Sequence, residues 1–195
     1  MMHKLEAIDT LIKHRDGAIS VTTMQAAQPW HERGQTGAFH VEASACMGSA
    51  SSIGLGLALG APDRRIIVLD GDGSLLMQLG SLVTVASLAP RNFYHFVFSN
   101  GFYESSGNQP LPGAGTYDFL ALAKGAGYRR AVRFETAEQL DRELPGVFAT
   151  DGPVFVELMI ARDDTPPKWA GVPMAQMVRT LRVDLGVEAR VPAAR

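Results

Sequence analysis

Residues 66–73 read Ile-Ile-Val-Leu-Asp-Gly-Asp-Gly. Four apolar residues in unbroken succession, cut off by a polar and glycine-rich turn, fit a strand covered on both faces, because a half-exposed strand would alternate with polar residues. A strand covered on both faces belongs at the centre of a parallel sheet. A second buried run, Phe96-Val97-Phe98, ends in the same way at Ser99-Asn100-Gly101. One helix, predicted from Ser74 to Leu88 and ended by Pro90, joins the strands at 66–70 and 94–99. Parallel strands joined through a single helix bring their carboxyl ends to the same edge of the sheet.

The rest of the chain repeats this alternation. Leu5, Ile8, Leu11 and Ile12 fall at helical spacing and predict a helix over 3–15, followed by a strand over 17–22. Residues 47–60 are small and apolar and predict a buried helix. Its Gly54 and Gly56 cost helix propensity, so close approach to a neighbour is expected to repay it. Further predicted elements are helix 117–126, strand 128–133, helix 136–147 and strand 153–160, then a break at Pro166-Pro167 and a helix near 173–185. The expectation is an α/β fold with a single open, mostly parallel sheet and helices on both faces. It occupies 1–165, with a helical tail over 166–195 packed on the same domain. A chain of 195 residues is long enough for one such core.

Composition closes off several functions. Eighteen basic residues stand against 20 acidic ones, a formal charge of −2. Nucleic-acid binders carry a basic excess or stripe; here the close basic pairs are Arg64-Arg65 and Arg129-Arg130, both at strand entrances. No apolar run approaches the roughly 18 residues of a membrane span. The single cysteine, Cys46, allows no disulfide framework and no paired-thiol motif, and is expected as a small buried residue. The charged N-terminus lacks the apolar core of a signal peptide, so a cytoplasmic location is expected. The five histidines show no metal-ligand spacing; His95 is expected as a packing residue within its strand, and His40 within reach of the site.

Chemistry concentrates where the two buried strands end. Asp72 lies just past the first and Asn100 just past the second, and ligands of open α/β sheets sit at that edge. Gly71 and Gly73 let the backbone approach a ligand closely. Ser74 is expected to open a helix, whose free N–H groups favour an anion. A carboxylate and an amide oxygen are hard donors suited to Mg²⁺ or Ca²⁺, and Mg²⁺ completes its octahedron with phosphate oxygens and water. The expected ligand is a diphosphate carrying a divalent metal.

Gly71-Asp72-Gly73-Ser74, the helix after it, and then Asn100 resemble the signature of thiamine-diphosphate enzymes. The stretches MGSASSIGLGLALGAPDRRIIVLDGDG and GDGSLLMQLGSLVTVASLAPRNFYHFVFSNGFYESSGNQP are similar to the cofactor domain of phosphonopyruvate and sulfopyruvate decarboxylases. This resemblance implies thiamine diphosphate and Mg²⁺ as cofactors. Asp72 and Asn100 would bind the metal through side chains and Phe102 through its main-chain carbonyl. Thr22, Thr23, Gly71, Gly73, Ser74 and Tyr103 would contact the cofactor. Met47 would wedge it into its bent form, with the Ala45 carbonyl facing its aminopyrimidine. Ser106 stands about where some keto-acid decarboxylases carry a catalytic acid. The polar loop of Glu104, Ser105, Ser106, Asn108 and Gln109 is expected beside substrate or cofactor. The chain departs from the family at Ser99, where an Asn is usual, and at 24–30 and 42–46, which have fewer glycines than relatives show.

In this superfamily a glutamate on a separate pyrimidine-binding domain activates the cofactor, and the resemblance accounts for one domain of the two. It therefore implies an α-type partner subunit carrying that domain and the activating glutamate, with helix 47–60 as a candidate contact surface. The substrate would be a small anionic 2-oxo acid, sulfopyruvate or phosphonopyruvate, losing CO₂ to leave an aldehyde, with no nucleic acid or membrane involved. The same cofactor domain serves the β subunit of 2-oxo-acid:ferredoxin oxidoreductases, acetolactate-synthase-like carboligases and non-catalytic cofactor-binding subunits, and these stand as alternatives.

Overall fold

Apolar side chains every third or fourth residue bury one face of α1 (Lys4–Lys13), through Ala7, Ile8 and Leu11. His3 caps its start: the ring nitrogen accepts from Leu5 N–H at 3.2 Å, and Glu6 accepts from His3 N–H at 2.7 Å. The computed structural model describes residues 1–35, 37–163 and 173–187. After α1 come β1 (Ile19–Thr22), α2 (Met24–Glu32), β2 (His40–Glu42), α3 (Ala50–Gly60), β3 (Ile66–Gly71), α4 (Asp72–Met77), α5 (Ser81–Leu88) and β4 (Phe93–Ser99). The short strands β5 (Phe102–Tyr103) and β6 (Gln109–Pro110) form a separate antiparallel pair. Then follow α6 (Phe119–Ala126), β7 (Arg130–Phe134), α7 (Ala137–Phe148), β8 (Val154–Met159) and α8 (Met174–Asp184).

The main sheet has six strands in the order β2-β1-β3-β4-β8-β7, all parallel. Successive residues of a strand face opposite ways, and β3 shows the result. Ile67 and Leu69 join the layer holding α1, α2 and α7, whereas Ile66 and Val68 join the layer holding α3, α5 and α6. All four are fully buried. This is the expected open sheet with helices on both faces. Leu181 of α8 enters the second layer. Among the described residues no helix is long and apolar enough to cross a membrane.

Gly54 carries the close approach expected of it. A Cβ there would lie 2.3 Å from Val68 Cγ2 and 3.0 Å from the Phe93 ring, so α3 sits on the sheet only because that position has no side chain. Gly56 differs: it is exposed and a Cβ would meet nothing within 4 Å.

Two expectations need correction, and two elements carry no clear sequence signal. The single helix over 74–88 is two, α4 and α5, separated at Gln78, whose backbone (φ −143°, ψ 49°) leaves the helical region. The first of them opens at Asp72, two residues before Ser74, which puts the Asp72 carboxyl in its first turn. Residues 24–32 form a helix that shows no clear apolar period and contains Pro29, and residues 40–42 form a strand too short to recognise. The predicted break at Pro166-Pro167 lies outside the described residues.

Candidate functional site

From β1 the chain runs through α2 to β2 on one side, then returns through α3 to β3 on the other. Strand order therefore reverses between β1 and β3, and the loops leaving their carboxyl ends diverge to form a crevice, the place where open α/β sheets bind ligands. Thr22 and Thr23 end β1 at this edge, Gly71 ends β3, and Ser99 and Asn100 end β4.

Asp72 organises the crevice. Its carboxyl is buried and accepts three backbone N–H groups: Gly73 at 2.8 Å on Oδ1, and Asn100 at 2.8 Å and Gly101 at 2.7 Å on Oδ2. The two ligand candidates, 28 positions apart in sequence, are thus joined directly. Burial raises the Asp72 pKa, the three N–H groups pull it back and the neighbouring Glu104 carboxyl adds to the rise, which together leave it at about 6. A buried carboxylate beside a second carboxylate favours a cation between or near them. Asn100 donates from Nδ2 to Glu104 Oε1 at 2.7 Å and accepts on Oδ1 from Phe102 N–H at 2.9 Å.

Around this pair the turn is held by short contacts. Ser74 Oγ accepts from Gly48 N–H at 3.0 Å, which ties the Met47-Gly48 turn to α4. Thr23 N–H donates to Leu69 carbonyl oxygen at 2.9 Å. The Tyr103 ring lies on Gly73, where a Cβ would be 2.5 Å from ring carbon Cε1. A Cβ on Gly71 would meet nothing within 4 Å. Two buried hydroxyls at the same edge, Thr22 Oγ1 and Ser44 Oγ, have no hydrogen-bond partner among the described residues. Buried hydroxyls of this kind ordinarily find one.

One cavity collects Thr23, Met47, Gly71, Asp72, Gly73, Ser74, Phe102, Tyr103 and Ser106 from the predicted set. Three of the residues expected to hold the metal or the cofactor stand off its wall. Thr22 is buried behind it, Ala45 is exposed, and the Asn100 side chain pairs with Glu104. Met24, Gln25, Glu104 and Ser105 also line it. Met24 and Gln25 were hidden because α2 was; Glu104 and Ser105 belong to the polar loop expected beside substrate or cofactor, whose Asn108 and Gln109 do not line the cavity. His40 does not line the cavity: it is buried against Ser20 Oγ at 2.9 Å, and burial pushes its pKa down to about 3. His95, expected only to pack, hydrogen-bonds Asp70 Oδ2 at 3.2 Å in the core. Cys46 is partly exposed, not buried.

Among the described residues no three His, Cys, Asp or Glu side chains converge as metal ligands. The candidate ligands are the Asp72 carboxylate with the Asn100 amide and Phe102 carbonyl oxygens, a set that suits Mg²⁺ when phosphate oxygens supply the remainder, and Glu104 adds a second carboxylate nearby.

Several known proteins resemble this chain. Phosphonopyruvate decarboxylase of Streptomyces viridochromogenes is 38% identical over 162 residues, 80% of this chain and 39% of that protein. Sulfopyruvate decarboxylase subunit beta of Methanothermobacter thermautotrophicus is 45% identical over 114 residues, 58% of each chain. The match thus spans less than two thirds of either relative. A solved structure, the thiamine diphosphate-dependent 4-hydroxybenzoylformate decarboxylase of Rhodococcus jostii RHA1, shares the fold with a TM-score of 0.67 at 21% identity, covering 84% of this chain and 33% of that one. The family model for the thiamine pyrophosphate enzyme C-terminal TPP binding domain matches residues 18–158. That span runs from the start of β1 into β8 and takes in both sides of the crevice, and the chain belongs to the thiamine pyrophosphate enzymes through this domain.

Proposed function

We propose that this chain is the cofactor-binding part of a thiamine-diphosphate-dependent 2-oxo-acid decarboxylase, completed by a partner that carries the pyrimidine-binding domain and the activating glutamate. The buried Asp72 carboxyl carries the proposal: it is held on three N–H groups at the point where strand order reverses, with a second carboxyl beside it. The orphaned hydroxyls of Thr22 and Ser44 and the open space at Gly71 fit a polar ligand at the same edge.

Asp72, Asn100 and the Phe102 carbonyl would hold Mg²⁺. Gly71, Gly73 and Ser74 would receive the diphosphate, with Thr22 and Thr23 beside them. Tyr103, Met47 and the Ala45 carbonyl would seat the rings. When bound, the cofactor supplies the electron sink for loss of CO₂ from a 2-oxo acid. The protein's own work is positioning: the backbone N–H groups of 73, 100 and 101 fix the Asp72 carboxylate before any ligand arrives, so little reorganisation is needed on binding. Ser106, at the end of the 3-10 turn after β5, would contact the substrate or hold a proton near it. Relatives named as phosphonopyruvate and sulfopyruvate decarboxylases favour decarboxylation over ferredoxin reduction or carboligation, and a small anionic 2-oxo acid as substrate. The subunit beta in one of those names favours a separate partner chain.

Calorimetric titration with thiamine diphosphate and Mg²⁺, on the chain alone and together with the product of its neighbouring gene, tests the assignment. Binding that is lost in Asp72→Ala supports it, and CO₂ release from 2-oxo acids by the pair completes it. Binding by neither preparation overturns it.

A further inference from the structure

An asparagine amide presents an oxygen and a nitrogen of nearly equal size, and a hard cation accepts only the oxygen. Nothing in Asn100 itself selects which end faces the metal; its surroundings do. Glu104 Oε1 lies 2.7 Å from Asn100 Nδ2. A carboxylate only accepts, so rotating the amide by half a turn would set two oxygens against each other at that distance. On the other side, Phe102 N–H donates to Oδ1 at 2.9 Å, occupying one lone pair and leaving the second.

Glu104 is held in turn. Its side chain is 5% exposed. Asp163 N–H donates to Oε1 at 2.8 Å, and Lys4 Nζ stands 3.4 Å from Oε2 and 3.2 Å from Asp163 Oδ2. The first residue of α1 and the segment after β8 therefore converge on the one carboxyl that touches the Asn100 amide. From this geometry we infer that Glu104 is a positioning residue that orients the Asn100 amide oxygen toward the metal, itself anchored by Lys4 and the Asp163 backbone. The inference rests on Asp72 and Asn100 being the metal ligands.

The test is Mn²⁺ affinity, read from loss of the free-ion spin-resonance signal, with the full chain and saturating thiamine diphosphate. Its partner subunit is added if the chain alone does not bind. Three variants separate position from charge. Glu104→Gln keeps an acceptor at the same reach and removes the charge. Glu104→Asp keeps the charge and withdraws the oxygen from Asn100. Glu104→Met fills the space and does neither. Positioning predicts that Gln stays within about three-fold of wild type, while Asp and Met weaken Mn²⁺ binding by about 10–100-fold, the range for partners that orient metal ligands. A purely electrostatic role predicts the reverse order, Asp close to wild type and Gln weakened, and overturns the inference. So do three variants that all bind as wild type does. Should the Met variant not fold, the order of Gln and Asp decides the matter alone. Asp72→Ala keeps the two levels apart. If wild type binds, Asp72→Ala does not, and the Glu104 variants bind unchanged, only the role of Glu104 falls. If wild type does not bind, or Asp72→Ala binds as well as wild type, the ligand assignment falls and Glu104 with it.

Discussion

Gly54→Ala tests how tightly α3 is seated on the sheet. The added methyl would stand 2.3 Å from Val68 Cγ2, more than an ångström inside the ~3.5 Å at which carbon atoms meet comfortably. Val68 is fully buried in a central strand and cannot retreat, and the Phe93 ring at 3.0 Å blocks a sideways shift. Overpacking of this kind costs about 1–3 kcal/mol, and the overlap puts this site at the upper end. Alanine regains about 1 kcal/mol of helix propensity, which leaves a net loss of about 2 kcal/mol. For a domain of this size that lowers the melting temperature by about 4–8 °C. Gly56→Ala is the control, two residues along the same helix but with nothing within 4 Å. There the propensity gain stands alone, and the melting temperature rises by about 2–4 °C. Thermal and urea unfolding of the two single variants measure both effects. A Gly54→Ala protein as stable as wild type would refute the packing argument.

Two further perturbations address buried polar groups. His40 is buried with its pKa down at about 3, against 6.5 for a free ring, so the unfolded chain takes up the proton first as pH falls. The stabilisation is whole above pH 6.5 and is lost downward through that window toward pH 3, by about 1.4 kcal/mol per pH unit for one group. His40→Gln should flatten the urea midpoint between pH 6.5 and 5 relative to wild type, and parallel slopes would show that the ring protonates freely. In the core, His95→Leu removes the donor that reaches Asp70 Oδ2 at 3.2 Å, leaving that carboxyl the Gly71 N–H at 2.9 Å on Oδ1. Leaving a buried acceptor without its donor costs about 1–3 kcal/mol, visible as a lower urea midpoint; adding Asp70→Asn to the variant should restore part of it.

The sequence made the centre of the molecule legible because its strands are covered on both faces. Ile66–Leu69 and Phe96–Phe98 cannot be anything but buried, and their ends announce the Asp72–Asn100 edge. Legibility failed where burial is one-sided or brief. The helix over 24–32 has Pro29 inside it and a mixed Gln-Ala-Ala-Gln pattern, so its buried Ala26, Ala27 and Trp30 do not stand out. The three residues of β2 are too few to show a period of two. The break at Gln78 had a local signal in Gly80, a poor helix former that caps α5, and a remote one that the sequence does not report: the Gly48 turn lies against it, with a Cβ at Gly48 only 3.2 Å from Gln78 Cβ. Within the site, nine of the predicted residues share one cavity, and eight of them follow strands that were read correctly. Met47 joins them from the segment between β2 and α3, while Ala45, two residues earlier on that segment, is exposed and does not. Glu104 was grouped with a polar loop because the partners that pin it, Lys4 and Asp163, are remote in sequence.

Both margins of the six-stranded sheet are closed to further pairing. On one side β2 offers only His40–Glu42, and α8 lies alongside, with Asp184 Oδ2 accepting from Phe39 N–H at 3.0 Å. On the other side β7 carries Arg130 and Arg133, the latter bound to Glu157 of the neighbouring strand. A margin that is brief and covered, or lined with guanidinium groups, makes a poor template for an incoming strand. What the described residues leave accessible are helix faces and the loops at the carboxyl edge of the sheet. Growth of the sheet by an added strand, the usual start of aggregation, is thereby disfavoured.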